Sequence, residues 1–294
     1  MTDVGKVPGR PFEFESHYRQ PDGPLGELVE TIWFARGTIP YTREKIAPTG
    51  SSVAVVVLGD PIVETPDNGA GTSIVAERGF IIGPHVRPVV NEPTGETFAV
   101  GIVARPIGCA AVFGAAPSTL RGRVLDLDTV WPTAGGLRAR LLELAAAGAE
   151  SAELVSATEQ VLNDVSDLSL DGLDLVAEAV RRVEEHPTVP IAELADSLGI
   201  SHGHLDREFR RVVGITPRAL ARLLRLQRML AELDVGSPVR WTDVAADLGW
   251  FDQAHFVRDF KRHTGVTPSE YLEAQRDNYA GAEVGEGAGF VPEA

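Results

Sequence analysis

Arg207 and Arg258 stand 51 residues apart, at the same place in two copies of one phrase. The first copy reads "ELADSLGISHGHLDREFRRVVGITP" and the second "DVAADLGWFDQAHFVRDFKRHTGVTP". A guanidinium is a fixed fork of N–H donors, suited to bidentate pairing with a phosphate or with O6 and N7 of guanine. Around these two arginines gather other side chains with something to donate, accept or fit. In the first copy they are His202, Gly203, Asp206 and Arg210; in the second they are Gln253, Ala254, Val257 and Lys261. A glutamine can pair with adenine N6 and N7, and a small apolar group can meet a thymine methyl. Seven arginines fall between Arg207 and Arg228: Arg207, Arg210, Arg211, Arg218, Arg222, Arg225 and Arg228. Only Glu208 opposes them within that stretch. The whole chain carries a formal charge of −15, so this is a local basic stripe on an acidic protein.

The elements that hold these residues follow from spacing. Ile191, Leu194, Ala195 and Leu198 recur at helical intervals, and Gly199 stops that helix. Ser201 is an N-cap for the next one, where Leu205, Phe209 and Val212 form a single buried stripe. Gly214 ends it, and Thr216-Pro217 opens a third helix with proline in its first turn. The second copy repeats this. Val244, Ala245 and Leu248 make the first stripe, Gly249 the turn and Asp252 the cap, with Phe256 and Phe260 pointing inward. "TPSE" at Thr267 to Glu270 is a capping box. Helix, glycine-centred turn, helix is the helix-turn-helix signature. With the stripes inward, His202, Gly203, Asp206, Arg207 and Arg210 face out of one unit, and Gln253, Ala254, Val257, Arg258 and Lys261 out of the other. These are the positions from which a recognition helix reads base edges in a major groove. Ser201, Arg211, Arg218, Arg262 and Thr267 flank them as candidates for phosphate contact. Part of the run from Arg218 to Arg228 is a solvated face over Leu220, Leu223, Leu224, Leu226 and Leu230, with Arg225 the strongest candidate for a structural role.

The tandem unit resembles the DNA-binding domain of AraC/XylS-type transcription regulators. The resemblance rests on "IAELADSLGISHGHLDREFRRVVGITP", the connecting "RLLRLQRMLAEL" and "VAADLGWFDQAHFVRDFKRHTGVTPSEYL", and it covers about Leu173 to Arg276. It implies a sequence-specific regulator, activator or repressor, binding double-stranded DNA at a promoter or operator. RNA polymerase and a small-molecule effector are further partners it admits, and the chain would act as a monomer or homodimer. "GFIIGPHVRPVV" and "VGIVARPIGCAAVFG" are similar to the N-terminal domains of some family members. Two residues depart from the pattern. Gly203 inside a recognition helix costs roughly 1 kcal/mol relative to alanine, and Asp206 sets a negative charge on the reading face, where it can accept from cytosine N4.

The rest of the chain sets limits. Its 294 residues favour two domains. The expected class is α+β. Residues 1–130 form a β-rich sensor domain, a small barrel or sandwich. Residues 131–172 are a helical connector and linker, 173–279 the all-α tandem domain, and 280–294 a disordered tail. The strands read most plainly at Leu28 to Arg36, Ser52 to Gly59, Gly79 to Gly83 and Thr97 to Arg105. Helices are expected at Leu137 to Ala149 and Ala152 to Val165, with "SDLSLDG" as linker. No apolar run approaches the roughly 20 residues of a membrane span, and the first residues hold no apolar signal core. A cytoplasmic, nucleoid-associated protein is therefore expected. Cys109 is the sole cysteine, which excludes a disulfide framework and a multi-cysteine zinc site. His204 and His255 read as packing and capping residues, and His17 and His85 are isolated, so no metal, cofactor or catalytic residue is expected. Two other classes compete: an enzyme with a barrel active site, against which the lone Cys109 argues for alkyl-acceptor chemistry, and a pure interaction protein.

Overall fold

The computed structural model describes residues 14–39, 41–67, 71–165, 173–247, 250, 252–279 and 289–293. The expected linker at 166–172, the Leu248–Gly249 turn and residues 280–288 of the tail lie outside them. The strands are β1 Phe14–Arg19, β2 Val29–Gly37, β3 Arg43–Ile46, β4 Val53–Val57, β5 Ile62–Pro66, β6 Ile74–Ala76, β7 Gly79–Ile82, β8 Val89–Pro93, β9 Thr97–Ala104, β10 Val124–Asp126 and β11 Phe290–Glu293. They pair antiparallel in two sheets, in the orders β1-β2-β9-β4-β7-β10 and β11-β3-β8-β5-β6. The short helices α1 Gly23–Gly26, α2 Cys109–Phe113, α3 Pro117–Leu120 and α4 Leu127–Val130 precede α5 Ala134–Ala146 and α6 Ser151–Val165. Seven more follow: α7 Asp174–Glu185, α8 Ile191–Ser197, α9 His202–Val212, α10 Pro217–Glu232, α11 Trp241–Asp247, α12 Gln253–Thr264 and α13 Pro268–Tyr279.

The N-terminal region is a sandwich with helices on one side. Successive side chains of a strand point to opposite faces, and β4 buries both. Val55 and Val57 join Phe80, Ile82, Ala99 and Val124 against Ile62 and Val89 of the second sheet. Ala54 and Val56 join Ile32, Phe34, Ile81, Val100 and Ile102 on the other face, under α5 and α6. That double burial explains why "SVAVVVLG" is apolar at every position, as strands covered on both faces are. Helices α5 and α6 are therefore cover for an apolar sheet face, with Leu137, Leu141, Leu154, Val155 and Leu162 buried, and not only a spacer.

Two observations bear on the expected layout. The tail is not disordered throughout: Phe290–Glu293 adds a strand to the free edge of β3, with Glu293 bound to Arg43 at 2.7 Å and Lys45 at 2.5 Å. Composition hides this because the partners lie some 250 residues away in sequence. In addition, the apolar core of the sandwich's helical side runs without a break into the first helix-turn-helix unit. Leu205, Phe209, Val213, Ile215, Leu220 and Leu223 belong to the same buried cluster as Leu120 and Leu127.

Candidate nucleic-acid interface

Each reading helix is started by the residue the sequence assigns to it. The Ser201 side chain accepts from the His204 backbone N–H at 3.2 Å, and the Asp252 side chain accepts from that of His255 at 2.6 Å. Such caps satisfy backbone donors that a helix start leaves open. In α9 the buried stripe is Leu205, Phe209 and Val212; in α12 it is Phe256 and Phe260. Thr267 N–H donates to Glu270 at 2.6 Å, completing the capping box of α13. Thr267 is thereby half-buried and engaged in capping, while Ser201, Arg211, Arg218 and Arg262 are exposed.

The stripes turn the predicted reading residues outward. His202, Gly203, Arg207 and Arg210 on α9 are exposed, as are Gln253, Ala254, Arg258 and Lys261 on α12. Asp206 and Val257 are half-buried, Val257 against the second unit's core. The two faces differ electrostatically. On α9, Arg210 holds Asp206 at 2.9 Å, Arg211 holds Glu208 at 2.8 Å, and Arg207 meets His204 Nδ1 at 2.8 Å. Asp206 thus serves first as the partner of Arg210, one turn away. Arg211 beside Glu208 draws that carboxyl below its ordinary range. On α12, Arg258 and Lys261 have no ion pair among the described residues, which leaves the second face the more available to an incoming acceptor.

The arginine run divides in two. Arg207, Arg210, Arg211 and Arg218 face solvent. Arg225 lies over the Trp250 ring at 5.1 Å, a cation–π contact in a half-buried setting. Arg222 reaches Asp259 at 3.9 Å, and Arg228 donates to the Glu184 carbonyl. These three bind elements of the domain to each other. Of them, the sequence singles out Arg225 for a structural role, although the partners of all three, Trp250, Asp259 and Glu184, are tertiary.

Both recognition helices end against the sandwich. Gly214 follows α9 at φ +85°, and a side chain there would meet Pro84 and Pro117 at 3.0 Å. Gly265 follows α12 at φ +79°, and a side chain there would meet Lys45 at 2.7 Å and Pro88 at 3.2 Å. Only glycine combines the left-handed turn with such close approach. His263 Nδ1–H donates to the Val86 carbonyl at 2.6 Å, and Gln227 donates to the Pro48 carbonyl at 2.9 Å. The segment Pro84 to Pro88 therefore touches the far ends of both reading helices. No local pattern announces this seam, since every contact in it is long-range.

Two buried imidazoles lie along the seam. Burial pulls His85 down from 6.5 to about 4, and His263 is pulled down by burial too, against the Val86 carbonyl and Asp259 that favour its charged form. A histidine kept neutral by folding contributes stability above its unfolded pKa and loses it as pH falls toward the folded one. From pH 7.5 to pH 5 the loss is expected to be about 1–2 kcal/mol, read from urea unfolding. His85→Asn, which keeps a donor for the Gly83 carbonyl, should flatten that dependence; an unchanged slope would remove His85 as its source. Cys109, buried in α2, has its thiol pushed up to about 11 by burial and is a poor nucleophile there.

Comparison with known proteins agrees with this geometry. Residues 194–274 match a family described as a helix-turn-helix domain, and residues 17–126 one described as a domain of unknown function (DUF6597). Over 101 residues the chain is 33% identical to the regulatory protein SoxS of Escherichia coli, covering 33% of this chain and 92% of SoxS. The chain belongs to the AraC/XylS family of transcription regulators. This AraC/XylS regulator is also 26% identical over 175 residues to a probable thc operon regulatory protein of Rhodococcus erythropolis, covering 51% of this chain and 52% of that one. It is 29% identical over 99 residues to the bifunctional transcriptional activator/DNA repair enzyme Ada of Escherichia coli. That match covers 34% of this chain and 27% of Ada, so the regulator spans about a quarter of Ada's length and about half that of the thc protein. Among solved structures, ToxT of Vibrio cholerae aligns over 88% of this chain and 98% of its own, at 11% identity and a TM-score of 0.46. Among the described residues no helix is long and apolar enough to cross a membrane.

Proposed function

We propose that this regulator binds an asymmetric DNA site through two unlike reading heads, under the control of its N-terminal sandwich. The observation that carries this reading is the orientation of α9 and α12. Their N-terminal, outward residues are exposed, and their C-terminal ends are docked on the sandwich. The base-reading residues are His202, Gly203, Asp206, Arg207 and Arg210 in one unit, and Gln253, Ala254, Val257, Arg258 and Lys261 in the other. The joining helix α10 has 16 residues, about 24 Å at 1.5 Å per residue. A rod of that length suits entry into successive major grooves, about 34 Å apart on one face of the duplex. RNA polymerase, a cytoplasmic site of action and an effector for the sandwich belong to the same proposal. Selection of bound sequences from a random DNA pool by the full chain tests it. Two unlike half-elements with centres about 10 bp apart are expected. A palindrome bound only by a dimer, or no enrichment at all, would sink the two-head reading.

Arg218 is exposed in the first turn of α10, clear of either reading face. Arg218→Ala should weaken binding to matched and unmatched DNA alike, and should reduce the slope of log K against log salt by about 1. Loss confined to one base position would instead make Arg218 a reader.

A further inference from the structure

The inner face of the second sheet carries a row of polar residues where the sandwich should be apolar. Across β3, β8 and β5 the register sets Glu44 opposite Asn91 and Asn91 opposite Glu64. Glu44 is settled: it accepts from Asn91 Nδ2 at 2.8 Å and from the Tyr41 hydroxyl at 2.7 Å. Glu64 is fully buried between Ile62 and Pro66 on its strand, and neither of its oxygens has a hydrogen-bond partner. The Asn91 Oδ1 beside it has none either. With Glu64 ionised, its two oxygens and the Asn91 Oδ1 are three acceptors in an apolar interior with no donor supplied by the described residues. Buried polar groups are almost always satisfied, and a bare carboxylate is the costliest exception. Burial, with Glu44 and Glu92 nearby, raises the Glu64 carboxyl well above its ordinary range.

A way in exists. A cleft of about 360 Å³, open mouth included, lies between the sheets and is lined by Pro66, Val89, Ile82 and Val124, with Val86 and Pro88 at its edge. Pro66 and Val89 face each other in register. They form the inward row next to Glu64 and Asn91, about 7 Å along the strands. Asp67, His85, Arg87 and Arg123 also line the cleft around its apolar wall of Pro66, Ile82, Val89 and Val124, and Glu64 and Asn91 lie beyond that lining.

We propose that the sandwich interior binds a small primary amine, its ammonium group held by Glu64 and Asn91 and its apolar tail lying in the cleft. An ammonium has three N–H donors and no acceptor, which matches three unpartnered acceptors. A carboxylate ligand has only acceptors to offer, and a polyol brings one donor per hydroxyl where an ammonium brings three on one atom. A hard metal ion needs six or more oxygens, and no group of three or more metal-binding side chains exists among the described residues. Occupancy would reach the reading heads directly: the carbonyl of Val86 accepts from His263, and Pro88 packs on Gly265. Control of DNA binding then requires only that the amine prefer one arrangement of that seam.

The inference rests on the sensor reading of the sandwich, but it is tested without DNA, so each can fail alone. The full chain is titrated with butyl-, pentyl- and hexylammonium chloride, the matching alcohols and the matching carboxylates, by calorimetry and thermal melting. Saturable binding and a raised melting temperature are expected for the amines only. Glu64→Gln should weaken amine binding at least ten-fold while melting no lower than wild type without ligand, because the amide, like the protonated carboxyl that burial favours, is uncharged. Asn91→Leu gives a second variant with the same expected loss. Equal binding by wild type and Glu64→Gln, no amine binding at millimolar concentration, or a Glu64-dependent response to calcium or manganese chloride in place of the amines would each overturn the proposal.

Discussion

Phe260→Ala is expected to cost about 3–5 kcal/mol of stability, the range for emptying a phenylalanine site in a packed core. Phe260 is fully buried in the middle of an aromatic cluster. Its ring lies 5.7 Å from Phe256, 5.6 Å from Tyr271 and 6.2 Å from Trp241, and Trp250 meets Phe256 at 5.2 Å. Rings so placed cannot collapse into the void without giving up their edge-on contacts. The damage should also be local. The second unit's core, which takes in Ala47 after β3 and Val291 of β11 with Leu226, Met229 and Leu230, is a cluster apart from the one that joins the sandwich to the first unit. Urea unfolding followed by tryptophan fluorescence should split into an early step, from Trp241 and Trp250, and a later one from Trp33 and Trp131. Footprints on the selected site should lose one half-element and keep the other. Phe209→Ala, by contrast, opens the continuous cluster and should bring down the whole chain in one step. A single unshifted transition for Phe260→Ala would show that the second core is not the independent unit these contacts describe.

Legibility of the chain followed the locality of the physics. The tandem units could be read because caps, helix-ending glycines and apolar stripes act within a turn or two. Ser201, Gly214, Asp252 and Gly265 stand where they must for α9 and α12 to begin and end. The first sheet was legible too, because β2, β4, β7 and β9 are apolar on buried faces. The second sheet was not. "REKI", "IVETP" and "VVNEP" place Glu44, Glu64 and Asn91 at the inward positions, where alternation calls for apolar residues, so none of the three was among the expected strands. The break in the pattern and the candidate ligand site are the same residues. Sequences depart from local consistency where function asks for it. The strand at Phe290–Glu293 was hidden for another reason, since its partner edge, β3, exists only once the sandwich has formed.

The seam also changes what regulation can mean here. An effector in the sandwich need not move a domain through the 166–172 stretch. The Pro84 to Pro88 segment already touches Gly214, His263 and Gly265, at the ends of α9 and α12. In the proposed reading, a shift in this one segment alters the spacing or tilt of two helices that fit one duplex together. Small shifts at packed interfaces act as two-state changes, because such interfaces are not continuously deformable.

Arg258→Ala should lower affinity for the selected site about ten- to hundred-fold, or about 1–3 kcal/mol, and relax the preference for guanine at one position of the second half-element. The size follows from the setting of the side chain. Arg258 is exposed on the outward face of α12, two residues after the buried Phe256, and no acidic neighbour holds it among the described residues. Its guanidinium can turn to a base edge without first breaking an ion pair. Arg207, its counterpart on α9, meets His204 at 2.8 Å and lies 3.9 Å from Glu208. Arg207→Ala should therefore cost less, because part of what the arginine gains from DNA replaces contacts it already has. Measuring both variants on the selected site, and on versions with each guanine replaced, separates base reading from phosphate contact. Loss confined to one base position marks a reader, and uniform loss marks a backbone contact. If Arg258→Ala left both the motif and its affinity unchanged, the outward face of α12 would not be the face that reads DNA.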